Sequence, residues 1–113
     1  MEQRRRTRRF QLELPVAITR AGAERVALSG YTKNISSSGV LFTTGAAPDL
    51  SGPIEYVIKL NDLAPQSVSL RCVGKVLRSE PLYTNGEGRH SFEIAATLER
   101  YEFVREPQLA IVR

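Results

Sequence analysis

The chain of 113 residues is 42% hydrophobic and 25% charged, and its formal net charge is +4. These values are typical of one globular domain and exclude a disordered, coiled-coil or collagen-like chain. No apolar run approaches the roughly 20 residues of a membrane-spanning helix, and no apolar segment follows the first arginines as in a secretion signal, so we expect a cytoplasmic protein without a membrane partner.

The net positive charge is confined to an N-terminal arm, residues 1–9. The arm contains five arginines and one glutamate, whereas residues 10–113 carry eleven basic and eleven acidic side chains. A protein that coats nucleic acid usually spreads basic charge over a folded face, because its affinity grows with each phosphate that it neutralises. A short basic arm instead suits a small ligand with few phosphates, or a flexible tail.

Alternation of apolar and polar residues predicts β-strands along most of the remaining chain. The predicted strands are residues 10–19, 25–33, 40–44, 54–60, 68–78 and 89–98. Ala21 to Glu24 predict a hairpin turn, and Gly30 predicts a bulge. Pro15 lacks an N–H and therefore predicts that its part of the first strand lies at an edge or a bulge.

Six short strands with almost no helix between them predict an all-β antiparallel barrel or sandwich. We favour a closed barrel because closure removes exposed strand edges. Residues 99–105 predict a short helix that Pro107 ends. The predicted organisation is a single domain, with the arm at residues 1–9, the six-stranded barrel at 10–98, and the short helix and C-terminal tail at 99–113.

Residues suited to catalysis or metal binding are scarce. The single histidine, His90, lies beside Ser91, whose side chain points to the opposite face of the strand, so no base reaches a nucleophile. The single cysteine, Cys72, lies at an inward strand position and excludes an internal disulfide or a cysteine cluster. The carboxylates are scattered and no glycine-rich phosphate loop is present. We expect no enzyme activity, no catalytic residues, no metal and no cofactor.

Two polar segments near the first strands stand apart from this pattern. Arg5 and Arg9 lie four residues apart directly before the first strand, while Asn34, Ser36 and Gly39 lie where the second strand gives way to a turn. In extended chain Asn34 and Ser36 share a face about 7 Å apart, and a glycine permits backbone angles that other residues avoid. Taken alone, the first segment is better explained as a solvated tail and the second as an ordinary turn.

Taken together, the two segments resemble the PilZ domain family, the bacterial receptors for cyclic di-GMP. That family has an RxxxR motif before its first strand, which Arg5 and Arg9 match. Arg4 and Arg8 also satisfy this spacing, but in the family the second arginine usually abuts the first strand, as Arg9 abuts Phe10.

The second motif of the family, (D/N)xSxxG, follows its second strand and is matched by Asn34, Ser36 and Gly39. The resemblance extends from about Glu2 to Leu98 and implies a six-stranded barrel.

The resemblance implies that cyclic di-GMP is the ligand. Arginine can hold a phosphate or the guanine O6/N7 edge with two hydrogen bonds, or stack on a base. The Asn34 carbonyl and the Ser36 hydroxyl can accept hydrogen bonds from guanine N1–H and N2–H. Asn34 is a neutral acceptor where other members of the family have a charged aspartate, and Gly39 lets the backbone approach the ligand. Arg4 and Arg78 are further candidate ligand contacts.

The expected mechanism is that the arm is mobile without ligand, because its arginines repel each other, and becomes ordered across the barrel on binding. The ordered arm would then signal to a downstream protein partner. Two alternatives stay open: a degenerate PilZ-fold interaction module without ligand, and a small nucleic-acid-binding barrel. Intact motifs argue against the first, and the chain's four Phe, four Tyr and no Trp offer few stacking platforms for the second.

Overall fold

A computed structural model describes residues 12–45, 51–61, 66–83 and 90–107, with side chains in the last two ranges described for 67–82 and 91–105. These residues form seven strands and no helix. The strands are β1 (Pro15–Ala21), β2 (Glu24–Ile35), β3 (Gly39–Thr44), β4 (Gly52–Asn61), β5 (Gln66–Tyr83), β6 (His90–Thr97) and β7 (Arg100–Pro107).

Six of the seven strands close into an antiparallel barrel. Their order is β4-β1-β2-β3-β6-β5, and β5 pairs with β4 to close the ring. Each barrel strand therefore has a neighbour on both sides, so closure removes the free edges that an open sheet would expose. This confirms the predicted all-β fold and its six-stranded antiparallel barrel.

The predicted helix at residues 99–105 is wrong, because this segment is strand β7. β5 is 18 residues long, and along one of its edges Val76–Tyr83 pairs with β6 while Gln66–Val73 pairs with β7. Tyr101 and Phe103 alternate with the polar residues Arg100 and Glu102, a period of two that fits a strand. The backbone N–H and C=O groups of Gln66–Val73 need hydrogen-bonding partners along this edge, and β7 provides them. The helix prediction did not take this requirement of β5 into account.

Alternate side chains of the barrel strands fill one core. Tyr56 and Phe42 are fully buried at its centre, with ring centroids 5.8 Å apart. Cys72 is buried too, as predicted from its inward position. The other buried hydrophobic residues are Val16, Ile18, Val40, Ile54, Ile58, Leu70, Ile94 and Ala96.

The hairpin turn predicted at Ala21 to Glu24 is confirmed. These two residues pair across a two-residue turn in which Gly22 has φ of 64°, the backbone angle that a hairpin of this kind requires at its first turn position.

Pro15 is the first residue of β1, where its missing N–H interrupts no regular row of hydrogen bonds. Among the described residues Pro15 pairs with Tyr31 of β2 but with no residue of β4, so it lies at an edge as predicted, while the irregularity of β1 falls between Ile18 and Arg20.

The bulge predicted at Gly30 is wrong. Gly30 pairs regularly with Val16 on one side and Thr44 on the other. The glycine serves a close approach of backbones, because a Cβ at this position would lie 1.7 Å from the carbonyl oxygen of Thr43.

Two buried titratable groups predict that the domain loses stability in alkali. The Tyr56 hydroxyl donates to the Thr97 carbonyl at 2.8 Å. Burial, together with the charges of Cys72 and Glu99, raises the pKa of Tyr56, and burial raises the pKa of Cys72 to about 12. Raised pKa values mean that folding favours the neutral forms, so this stabilisation is full at neutral pH and is lost once the unfolded chain deprotonates, at about pH 8.5 to 10.

We therefore expect the free energy of unfolding in urea to fall above about pH 9, by up to about 1.4 kcal/mol per pH unit for each group. Tyr56→Phe should make this pH dependence shallower. Tyr101→Phe, at an exposed tyrosine, is the matched control and should leave it unchanged. Equal unfolding free energies at pH 7.5 and 10.5 for the wild type would contradict the prediction.

Candidate functional site

Ser36 holds the turn between β2 and β3. Its backbone N–H donates to the Gly39 carbonyl at 2.9 Å. Its hydroxyl accepts from the N–H groups of Ser38 and Gly39 at 3.3 and 3.2 Å, and it lies 3.3 Å from the Gly39 carbonyl, to which it donates. A hydroxyl has one hydrogen and two lone pairs, so these bonds use its whole capacity. Accepting a bond from a ligand would require Ser36 to exchange one of its bonds within the turn.

Gly39 lies in a tight backbone contact and does not have an unusual backbone angle. Among the described glycines only Gly22 and Gly52 have positive φ, so the backbone angle expected at Gly39 is not observed. A Cβ on Gly39 would lie 3.1 Å from the carbonyl oxygen of Ala96. The glycine thus allows β3 to lie close against β6 at the point where the turn begins.

A bulge in β2 turns Asn34 outward. Thr32 is buried and pairs with Phe42 in the core, but Asn34 pairs with Leu41, one residue further along β3. Lys33 is the extra residue. Strict alternation from Thr32 would direct Asn34 into the core. The inserted residue reverses the phase and brings the Asn34 amide to the outer face, which is a common use of bulges beside functional sites.

A second bulge does the same for Arg78. Val76 pairs with the buried Ala96, whereas Arg78 pairs with Ala95, so Leu77 is the extra residue of β5. Without it, Arg78 would share the inward phase of Val76. With it, the arginine is exposed on the outer face of the barrel.

The two bulges meet in one row across four strands, here called the site row. Asn34 pairs with Leu41, Leu41 with Ala95, and Ala95 with Arg78. Directly paired residues share a face of the sheet, so the row presents an amide and a guanidinium at its ends. Between them the half-buried Leu41 and Ala95 form a low apolar floor. Three strand spacings separate the two ends by about 14 Å.

The cations beside the site row are paired with carboxylates, that of Glu80 exposed and that of Glu93 half-buried. Arg78 lies 3.4 Å from Glu80, and Lys33 lies 2.8 Å from Glu93. Surface ion pairs of this kind contribute only about 0–1 kcal/mol each. Arg78 can therefore exchange the carboxylate of Glu80 for another hydrogen-bond acceptor at little cost.

Arg4, Arg5 and Arg9 lie outside the described residues, but the chain that leads to them enters beside the site row. The Leu14 N–H donates to the Thr32 hydroxyl at 2.9 Å, and that hydroxyl donates to the Leu12 carbonyl. Because β1 and β2 are antiparallel, Leu12 lies near the end of β2 that carries Asn34. Arg9 precedes Leu12 by three residues in the sequence.

Sequence reasoning missed the apolar floor of the site row and the reason why Arg78 belongs with Asn34. A signal was present in both strands. Asn34 and Arg78 are polar residues at positions where alternation from Thr32 and Val76 calls for inward side chains. A polar residue in an inward phase indicates either a buried polar group or a bulge.

His90 is the first residue of β6. Among the residues that the structure describes, no group of three or more His, Cys, Asp and Glu side chains is placed to hold a metal ion. Within the same ranges, no helix has the length and apolar character needed to cross a membrane.

Comparison with known proteins identifies one family. A model of the family described as PilZ domain matches residues 3–103 of the chain. The match includes the arginine motif, the Asn34–Gly39 motif and Arg78. No curated protein and no solved structure matches the chain significantly.

Proposed function

Because the chain belongs to the PilZ domain family of cyclic di-GMP receptors, we propose that it binds cyclic di-GMP over the site row. The observation that carries this proposal is the pair of bulges that turns Asn34 and Arg78 onto one outer row. The N-terminal chain enters at the Asn34 end of that row. A ligand lying on the row would therefore be within reach of protein groups on both of its faces.

Each polar residue has a distinct part in the proposed complex. The Asn34 carbonyl accepts from the guanine N1–H and N2–H groups, and Arg78 leaves Glu80 to stack on a base or to bind its O6/N7 edge. Arg5 and Arg9 bind phosphate or guanine from the arm, with Arg4 as a further contact. Ser36 and Gly39 keep the turn in place, and the Ser36 hydroxyl exchanges one turn bond for the ligand.

We further propose that ligand binding orders the arm over the barrel and that the ordered arm is recognised by a downstream protein. The five like charges in residues 1–9 repel each other, and this segment has few apolar residues that could be buried, which opposes order without a counter-charge. The two phosphates of cyclic di-GMP supply that counter-charge, so binding and ordering are coupled.

Isothermal titration calorimetry of the full chain with cyclic di-GMP tests the function. We expect saturable heat at roughly tens of micromolar ligand, and little heat with GMP, which has one base and one phosphate. No heat in this range would overturn the proposal. Tighter and more steeply salt-dependent binding of single-stranded oligonucleotides than of cyclic di-GMP would support the nucleic-acid-binding alternative.

Asn34→Asp is expected to strengthen cyclic di-GMP binding several-fold. A carboxylate that accepts from guanine N1–H and N2–H makes charge-assisted bonds, roughly twice as strong as neutral ones. Asn34→Leu should weaken binding about tenfold, because the guanine donors lose their acceptor. Asn61→Asp makes the same charge change at the end of β4 and serves as the control. If Asn34→Asp weakened binding, Asn34 would face a phosphate rather than the guanine edge.

A further inference from the structure

We propose that β7 pairs edge to edge with β7 of a second copy of this chain. β7 is the last strand in the sheet order and pairs only with β5. Its outer edge runs for eight residues without a neighbouring strand among the described residues. An unpaired edge of this length presents a row of N–H and C=O groups that can accept another strand.

The face of β7 that continues the core is apolar and exposed. Tyr101 pairs with Cys72 and Phe103 pairs with Leu70, both buried in the core, so the two aromatic side chains lie on the core face of the sheet. Beyond the barrel no other described element covers that face, and Tyr101 and Phe103 are 57% and 62% exposed. Their rings contact each other edge to face, with centroids 6.1 Å apart. Uncovered aromatics beside an open edge are typical of an interaction surface.

The charges of β7 favour a second copy as the occupant. A two-fold axis at Phe103 sets antiparallel strands so that Phe103 lies opposite Phe103 of the second copy. The other opposed residues are then Arg100 with Glu106, Tyr101 with Arg105, and Glu102 with Val104. This register opposes arginine to glutamate, places arginine beside a tyrosine ring, and stacks the two phenylalanines.

Neighbouring registers oppose like charges. Two strands that share the same buried face can shift only in steps of two residues. A shift one way places Glu102 opposite itself, and a shift the other way places Glu102 opposite Glu106. Parallel pairing in register would oppose every arginine to itself. The Phe103-centred register is therefore selected against its neighbours by charge.

Sedimentation velocity of the full chain without nucleotide tests this interface, up to about 1 mM because one strand edge is a small interface. We expect the wild type to associate toward two chains as its concentration rises. Phe103→Glu and Phe103→Lys should each remain monomeric and folded, because residue 103 faces itself across the two-fold axis. An equimolar mixture of the two variants should associate, since glutamate then faces lysine.

The matched control is Leu77→Glu, which removes an apolar side chain that is 68% exposed on β5 rather than β7 and should leave association unchanged. A wild type that is monomeric at every concentration overturns the proposal. This holds even if the arm or another protein is later found to cover the outer edge of β7. The proposal is equally overturned if Phe103→Glu associates like the wild type, or if the two folded Phe103 variants fail to associate when mixed.

Discussion

Arg9→Ala is expected to weaken cyclic di-GMP binding by about 100-fold. A charge-assisted guanidinium contact contributes about 1.5–3 kcal/mol, and each 1.4 kcal/mol is a factor of ten in affinity. Arg9 is the arginine of the motif closest to the described chain, and Leu12, three residues on, is held beside Thr32. Binding of Arg9 at the site row should therefore cost less conformational entropy than binding of Arg5. Calorimetry of variant and wild type in the same buffer measures the change.

Two control variants separate a motif effect from a general loss of positive charge. Arg20→Ala removes an arginine of β1 that lies 3.6 Å from Glu55 of β4. This variant should leave the affinity unchanged. Arg8→Ala removes an arm arginine outside the Arg5/Arg9 pair, and we expect a loss of no more than about threefold from weaker long-range attraction. A larger loss for Arg8→Ala than for Arg9→Ala would show that Arg4 and Arg8 form the binding pair.

Gly30→Ala is expected to destabilise the domain by about 4 kcal/mol or more, an exceptional loss for one substitution. The new Cβ would lie 1.7 Å from the Thr43 carbonyl oxygen and 2.8 Å from its carbon. Neither atom can move without separating β2 from β3, which would break the ladder between Gly30 and Thr44. Small domains have total stabilities of about 5–15 kcal/mol, so the variant should be largely unfolded or insoluble. Urea unfolding followed by circular dichroism measures the effect.

Gly45→Ala provides the matched control, since a Cβ there has no heavy atom within 4 Å. We expect its unfolding midpoint to match that of the wild type. Gly74→Ala repeats the test on β5, where a Cβ would lie 1.9 Å from the Thr97 carbonyl oxygen, and should be as damaging as Gly30→Ala. Equal free energies of unfolding for Gly30→Ala and Gly45→Ala would contradict the prediction, because they would show that β2 and β3 can separate without loss of stability.

The glycines also show where sequence reasoning found a special position but assigned it the wrong cause. Gly30 and Gly39 were expected to supply a bulge and an unusual backbone angle. Both instead allow neighbouring backbones to approach closely. The absence of a side chain is visible in a sequence, whereas the atom that would collide with it belongs to another strand. Only the closed barrel determines which atom that is.

The C-terminal segment illustrates the same division. The alternation of Tyr101 and Phe103 with polar neighbours is too short to identify a strand by itself, and a local interpretation assigned residues 99–105 to a helix. The partner that makes them a strand is the Gln66–Val73 half of β5, more than 25 residues earlier in the chain. Strand formation depends on such distant partners more than helix formation does, because its hydrogen bonds join different segments.

Local pattern alone determined the all-β class, the six barrel strands, the inward residues such as Cys72, and the two motifs that resemble those of the PilZ domain family. These features depend on period-two alternation and on short spacings, both of which are written in consecutive residues. The tertiary structure alone decided that Asn34 and Arg78, 44 positions apart in the chain, end one row over Leu41 and Ala95. It did so because a bulge is defined by its partner strand, and the phase of each side chain beyond it depends on that pairing.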